Sequence, residues 1–434
     1  MRLQMRYNRR RHAAARTADF VFNQLIPYIG NKRHLLDLIQ KALDHTEASH
    51  GATFLDMFAG SGVVARLAKA LGYRVLANDW EPYTRPISTS YIECNGPPAF
   101  AALGGYEQAI HKLNSLEPRV DWITEHLCPR DDQDYDVKVD RMFFMRKNGM
   151  RIDAIRHQIA EWQAEGVINE TEARCLLAPL LYQVCYRSNA SGVFKGFHNG
   201  WGGQTRTALY RIAGDLELAP GVFLDNSHQN EALCEDAQGL AERLAQHELD
   251  IVYLDPPYNQ HPYGSNYHVL NTVTLWDKPA LSKQITPAPN AAIRTDWRTE
   301  RRSAYNYHSE AANAYRRLLQ TLDARYILTS YSTDGTIPLG EMLLANIARG
   351  HVRIEMRGYK RYRVSSQRFS RKPMNVELVI IVDTRRESDV SADQLMEAVQ
   401  SAEDSVLRNH REYRQREEEQ IMLFEGAREY GQET

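Results

Sequence analysis

The most constraining stretch of this chain is Ile251-Val252-Tyr253-Leu254-Asp255-Pro256-Pro257-Tyr258. Four successive apolar residues read as a short strand covered on both faces, the pattern of an inner parallel strand. Two prolines cannot extend a central strand, because proline has no amide hydrogen, so pairing stops at Asp255. A carboxylate, a stiff Pro256-Pro257 turn and the Tyr258 ring are thereby held at the C-terminal end of a strand. In open α/β sheets that end is where ligands bind.

This group suits methylation of an exocyclic amine on a planar base. An aryl NH2 is a poor nucleophile because its lone pair is delocalised into the ring. When the Asp255 carboxylate and the Pro256 carbonyl each accept one N–H, the nitrogen moves toward tetrahedral geometry and the lone pair is freed. Tyr258 then stacks on the base. A strand that merely ends in a Pro-Pro turn carries the same residues, so the rest of the chain has to decide.

Thr53-Phe54-Leu55-Asp56-Met57-Phe58-Ala59-Gly60-Ser61-Gly62 reads as a strand entering a glycine turn, followed by a helix from Val63 to Leu71 that Gly72 closes. Glycine lets the backbone turn tightly and approach a ligand. A second strand, Arg74 to Asn78, ends at Asp79, close to the ~20-residue spacing at which an acid binds ribose hydroxyls in nucleotide folds. This pattern fits any Rossmann-like site, nicotinamide enzymes included. Upstream, Pro27 to Lys32 is a loop able to wrap a small ligand, and a helix follows with Leu35, Leu36, Ile39 and Leu43 on one face. Asp236 precedes a helix over 237–245 and can either cap it or approach a bound adenine.

Residues 96–222 interrupt the α/β rhythm. Ile152, Ile155, Ile159 and Trp162 sit at helical spacing, and Cys175 to Val184 reads as an apolar helix. The run from Ser188 to Gly203 mixes glycine, aromatics, amides and Lys195. It can lie against a nucleic acid or form an ordered surface loop. Arg325 to Ser330 reads as a strand, and Val352–Gly358 with Asn375–Val382 as a closing hairpin. Between the hairpin strands, residues 357–372 hold seven basic residues and three aromatics without one acid. With a formal net charge of −2 the chain is not globally basic, so any nucleic-acid surface must be local. This segment, with Arg361, Arg363 and Arg368, reads as a phosphate clamp in preference to a solvated loop, which rarely excludes acids so thoroughly. Residues 1–18 carry six arginines and no acid, as a phosphate-tracking arm or a solubilising tail. The tail past Asp383 reads as charged and helical.

The five cysteines are scattered, without metal spacing, which favours a reducing cytoplasm and no metal site. No apolar run approaches the ~18 residues of a membrane span.

In this order, Pro27–Lys32, Asp56–Gly62 and Asp255–Tyr258 resemble the Dam-like, alpha-group adenine-N6 DNA methyltransferases, and are most similar to methylases of restriction–modification systems. An Asn-Gly run such as Asn189–Gly192 and a segment such as Asn266-Tyr267-His268 occur there too. The resemblance covers residues 21–383. It implies an α/β, Rossmann-like S-adenosylmethionine-dependent fold: a catalytic domain over 21–95 and 223–385, and an inserted, mainly helical target-recognition region over 96–222. A basic arm (1–20) and a charged helical tail (386–434) flank it.

The resemblance further implies S-adenosylmethionine as methyl donor, with Tyr28, Lys32, Asp56, Phe58, Gly60 and Gly62 at its methionine end, Asp79 on the ribose and Asp236 near the adenine. Asp255, Pro256, Pro257 and Tyr258 take the catalytic roles. Asn189 and Lys195 join the three arginines on the nucleic acid. Expected partners are double-stranded DNA and a separately encoded cognate restriction endonuclease, unless the enzyme is an orphan methylase. The expected form is a cytoplasmic monomer or weak dimer of bacterial or phage origin. Two segments depart from the family pattern: Arg294-Thr295-Asp296-Trp297 and Gly200–Gly203 stand where relatives are richer in lysine. An RNA base N-methyltransferase is the nearest rival. A catalytically inactive DNA-binding module is the alternative of another class. Cytosine-N4 enzymes usually carry serine before the two prolines.

Overall fold

A computed structural model describes residues 17–409, apart from 259, 261, 287–289 and 361–373. The basic arm up to residue 16 and Arg361, Arg363 and Arg368 lie outside the described residues. The described residues form a seven-stranded sheet in the order β3-β2-β1-β4-β5-β7-β6. Its strands are β1 (Thr53–Asp56), β2 (Arg74–Asn78), β3 (Glu231–Leu233), β4 (Leu249–Leu254), β5 (Ala324–Ser332), β6 (His351–Lys360) and β7 (Met374–Asp383). The first five pair in parallel, whereas β7 runs antiparallel to both β5 and β6.

The apolar run before Asp255 is the centre of this sheet. It begins at Leu249, two residues earlier than its hydrophobicity suggests, and lies between β1 and β5. Ile251 and Tyr253 join the core on one face, Val252 and Leu254 the core on the other. A side-chain period of two forces that division, and burial on both faces explains the unbroken apolar sequence. The three-residue β3 is too short to show a period.

Helix α1 (Leu36–Asp44) buries Leu38, Ile39, Ala42 and Leu43. Leu36, expected on that face, is only partly covered, and Leu38 takes its place. Helix α2 (Val63–Ala70) follows the glycine turn. Between β2 and β3 the described chain is helical, dominated by α3 (Arg146–Ala164) and α4 (Glu170–Arg187). Ile152, Ile155 and Ile159 are fully buried at the expected spacing. Helix α4 starts at a capping box in which Asn169 and Glu172 each bond the other's backbone amide. One continuous core joins α3 and α4 to the β4 face that carries Tyr253. Helices α5 (Ala237–Leu244), α6 (His268–Leu275) and α7 (His308–Thr321) complete the layers used below. None of the described helices is long and apolar enough to cross a membrane.

Candidate active site

The C-terminal ends of β1, β2 and β4 open on one pocket, with about 1010 Å³ of space including the solvent at its mouth. It is lined by Tyr28, Lys32, Asp56, Phe58, Gly60, Asp79, Asp236, Asp255, Pro256, Pro257 and Tyr258. Gly62 is the exception among the residues singled out for the cofactor. It does not line the pocket but sits at φ 78° as the N-cap of α2, where its freedom serves the turn.

Gly60 shows why this turn needs glycine. Its φ is +52°, and a Cβ there would stand 2.8 Å from the Tyr28 ring. Tyr28 therefore lies directly on the glycine backbone. Its ring stacks at 5.0 Å on both Tyr263 and Tyr267. The Tyr267 hydroxyl accepts the Ile29 amide at 2.8 Å, and the Tyr263 hydroxyl donates to the Ile29 carbonyl at 3.1 Å. Two tyrosines beyond the prolines thus pin the N-terminal loop. Nothing in the sequence marks Tyr263, because an aromatic in a loop carries no periodic signal.

Asp79 behaves as a turn organiser as well as a pocket wall. Its carboxylate accepts the Gly60 amide at 2.8 Å and the Glu81 amide at 2.9 Å. Burial nevertheless pushes its carboxyl up to about 6. Asp56 is 1% exposed, and neither of its oxygens has a hydrogen-bond partner. The amides of Phe58 and Ala65 lie nearby without reaching hydrogen-bond geometry. Burial, then the charges of Asp255 and Asp79, hold the Asp56 carboxyl well above its ordinary range. Asp236 caps α5, accepting the Gln238 and Gly239 amides at 3.1 Å, and stands on the pocket wall at the same time.

At the other end Lys32 Nζ pairs with Asp255 Oδ1 at 3.0 Å. The lysine side chain is 4% exposed and the aspartate 18%. Lys32 also donates to the Gly30 carbonyl at 3.2 Å and lies 4.5 Å from the centre of the Tyr258 ring. Burial raises the Asp255 carboxyl above its usual range, and the Lys32 ammonium draws it back. Tyr258 packs edge-to-face on Tyr331, and its carbonyl accepts from Thr336.

A further wall comes from a segment that sequence reasoning passes over, Arg301 to Asn306, where Tyr305 meets Phe58 edge-on at 5.4 Å. The Arg294–Trp297 departure leads into it: Asp296 is shared by Arg294 at 2.9 Å and Arg301 at 2.8 Å.

The nucleic-acid candidates separate. Asn189 is fully buried. Its amide nitrogen donates to the Met142 and His198 carbonyls at 3.0 and 3.1 Å, and its oxygen accepts the Gly202 amide at 3.0 Å. It is the knot of the Ser188–Gly203 loop, and its side chain cannot reach a ligand without undoing these bonds. Lys195 is half-buried, and that burial lowers its ammonium. The neighbouring Phe194 fastens the loop to the site, its amide donating to Asn266 O at 2.7 Å and its carbonyl lying 2.8 Å from His268 Nε2. Arg357, at the start of the basic run, is paired with Asp37 of α1.

A parallel sheet that reverses only at β7, with acids at its strand ends around one pocket, defines a Rossmann-like methyltransferase fold. Residues 28–316 match the family model described as D12 class N6 adenine-specific DNA methyltransferase, and the chain belongs to that family. It is 32% identical over 346 residues to the type II methyltransferase M.FokI of Planomicrobium okeanokoites, covering 77% of this chain and 49% of that protein. It is 32% identical to the modification methylase StsI of Streptococcus sanguinis, covering 82% of this chain and 52% of the relative. The type II methyltransferase M.NlaIII of Neisseria lactamica is 31% identical, with 73% of this chain and 86% of the relative covered. The chain thus spans about half the length of the first two relatives and most of the third.

Proposed function

We propose that this chain methylates N6 of an adenine flipped out of double-stranded DNA, with S-adenosylmethionine as methyl donor, in the modification half of a restriction–modification system. The observation that carries this reading is the Lys32–Asp255 pair, which sets a carboxylate against an ammonium beside two prolines on the wall of the strand-end pocket. Membership of an adenine-specific DNA family favours DNA over RNA.

The pocket fits the cofactor. The unpartnered, buried Asp56 carboxylate suits an ammonium group, the Gly60 turn closed over by the Tyr28 ring forms a flat wall beside it, and Asp79 stands at the strand end where a ribose is held. The cofactor supplies an electrophilic methyl carbon on a positive sulfur. The protein does the remainder: Asp255 and the Pro256 carbonyl take the two amine hydrogens, and Tyr258 offers its ring to the base. Extrusion of that base costs a few kcal/mol, which stacking and contacts to the vacated site offset. In this reading Asn189 shapes the recognition loop and Lys195 is the member of that pair that meets DNA. Residues 96–222 act as the target-recognition region, and 21–95 with 223–385 as the catalytic domain.

Sequencing of host DNA for N6-methyladenine, with and without this chain expressed, tests the proposal. A methylated motif that appears only with the chain supports it, and unmodified DNA with methylated RNA overturns it.

Asp79→Ala is expected to weaken cofactor binding by roughly 1–3 kcal/mol, the cost of losing hydrogen bonds to a charged acceptor. The wild-type affinity should itself rise with pH through about 6, where Asp79 ionises, with proton release on binding. Calorimetry in buffers of different ionisation enthalpy reads both. An affinity flat across that range removes Asp79 from the ribose.

Tyr258→Phe should keep most activity and Tyr258→Ala lose roughly 1–3 kcal/mol of productive base holding, the range for base–aromatic stacking. Methylation rates, with 2-aminopurine at the target position, compare the three proteins. If Phe damages as much as Ala, the hydroxyl matters and the stacking role fails. Neutralising Arg361, Arg363 and Arg368 together should flatten the log-affinity versus log-salt slope by about 0.9 for each phosphate that is no longer neutralised. An unchanged slope makes the segment an ordinary loop.

A further inference from the structure

N-methylation displaces one proton from the amine, and the sheet register places an acceptor for it. Tyr253 precedes Asp255 by two residues, so both project to the same face. Parallel pairing sets Tyr253 beside Leu328, and two residues further each time, Ser330 and Ser332 continue that face along β5. Ser332 pairs across the antiparallel ladder with Glu377 of β7. Tyr253, Ser330, Ser332 and Glu377 therefore share one face of the sheet with Asp255, Tyr253 before its level and Ser332 and Glu377 beyond it. Their apolar neighbours Leu328 and Val379 belong to the core.

Tyr253, Ser330 and Ser332 are buried, at 1%, 2% and 4% exposed, and Glu377 is half-buried. Three of their atoms, the Tyr253 hydroxyl oxygen, Ser332 Oγ and Glu377 Oε2, are enclosed without a hydrogen-bond partner. The Ser332 hydroxyl stands close enough to ease the Glu377 charge without reaching hydrogen-bond geometry. Buried polar atoms are nearly always paired, so a cluster of unpaired ones on one face points to a catalytic purpose. Burial holds the Glu377 carboxyl above its ordinary range, with Lys32 drawing it down and Asp255 pushing it up. Lys32, Tyr253 and Asp255 line the pocket, whereas Glu377 does not.

We propose that Glu377 takes up the proton that methylation displaces from the adenine amine, delivered from Asp255 across the Tyr253 hydroxyl. This rests on the adenine-N6 reading above. The amine lone pair forms the new N–C bond while the old S–C pair stays on sulfur. One N–H bond then breaks, its pair returns to nitrogen, and the proton goes to Asp255. The Tyr253 hydroxyl accepts that proton and gives its own to Glu377, which discharges to water between turnovers. Lys32 keeps its proton and balances the charge.

The test uses E377Q and Y253F in the full chain. Glutamine keeps the size and hydrogen bonding of Glu377 without its basicity, and phenylalanine keeps the Tyr253 ring. Both variants should lose roughly tenfold in single-turnover transfer, less than the 100- to 10,000-fold of a group acting directly on substrate. Cofactor affinity by calorimetry and base extrusion by 2-aminopurine should stay unchanged. The acid limb of the E377Q rate profile should flatten, and E377D should recover part of the rate. A wild-type rate and profile in E377Q overturns the proposal, as does a loss that merely follows cofactor affinity or extrusion. Wild-type protein that leaves adenine unmethylated would instead overturn the underlying reading.

Discussion

Asp255→Ala is expected to cut single-turnover methyl transfer by roughly 100- to 10,000-fold, the contribution of a positioned group that handles a proton in the transition state. The reason is local. The carboxylate sits at the end of β4 and is 18% exposed, and in the proposed reaction it accepts a hydrogen of the reacting amine. Its removal takes away the acceptor that frees the lone pair. It also leaves the Lys32 ammonium, 4% exposed, beside an empty place, which costs some stability. Cofactor and DNA binding should survive, since the glycine turn and the Ser188–Gly203 loop do not depend on this oxygen. Asp255→Asn, which keeps one acceptor oxygen, should lose less. Rapid-quench measurement on a saturated complex separates chemistry from binding. If Asp255→Ala retains a tenth of the wild-type rate, the assignment is wrong.

Lys32→Met is expected to move the acid limb of the rate profile to higher pH. Burial already raises the Asp255 carboxyl, and the ammonium 3.0 Å away opposes that rise. Without it the carboxyl titrates later, so at neutral pH more of the enzyme carries a protonated Asp255 that cannot accept an amine hydrogen. Activity on the acid side of the profile should fall and recover as the solution is made more alkaline. Stability should follow the opposite trend. A folded-state pKa raised above the unfolded value contributes stability below the unfolded pKa, and that contribution is lost as pH rises through the folded one. The variant should therefore lose most stability where Asp255 is forced to ionise, within the roughly 3–5 kcal/mol typical of breaking a buried pair. Rate profiles and thermal unfolding at matched pH check both halves. A profile that does not move would show that Lys32 does not govern the Asp255 charge.

Local chemistry makes much of this protein legible from the chain alone. An apolar run ended by two prolines specifies a buried strand that stops, and β4 stops there. Strand, glycine turn, helix, strand and acid specify a pocket at the strand ends, because backbone sterics and hydrogen bonding act over a few residues; Gly60 and Asp79 meet through one 2.8 Å bond. The helical period of Ile152, Ile155 and Ile159 likewise predicts their burial. Contacts between distant segments are not legible. Asn189 and Asp236 are polar residues of the kinds that bind ligands, and only packing shows the first tied up inside its loop and the second capping α5. Tyr263 and Tyr305 become pocket walls because separate loops converge over the strand ends. Glu377 reads in sequence as one polar residue in an apolar strand. The antiparallel ladder that pairs it with Ser332 sets it on the sheet face that Asp255 shares, because register is fixed by burial of the whole sheet and not by any residue's own chemistry.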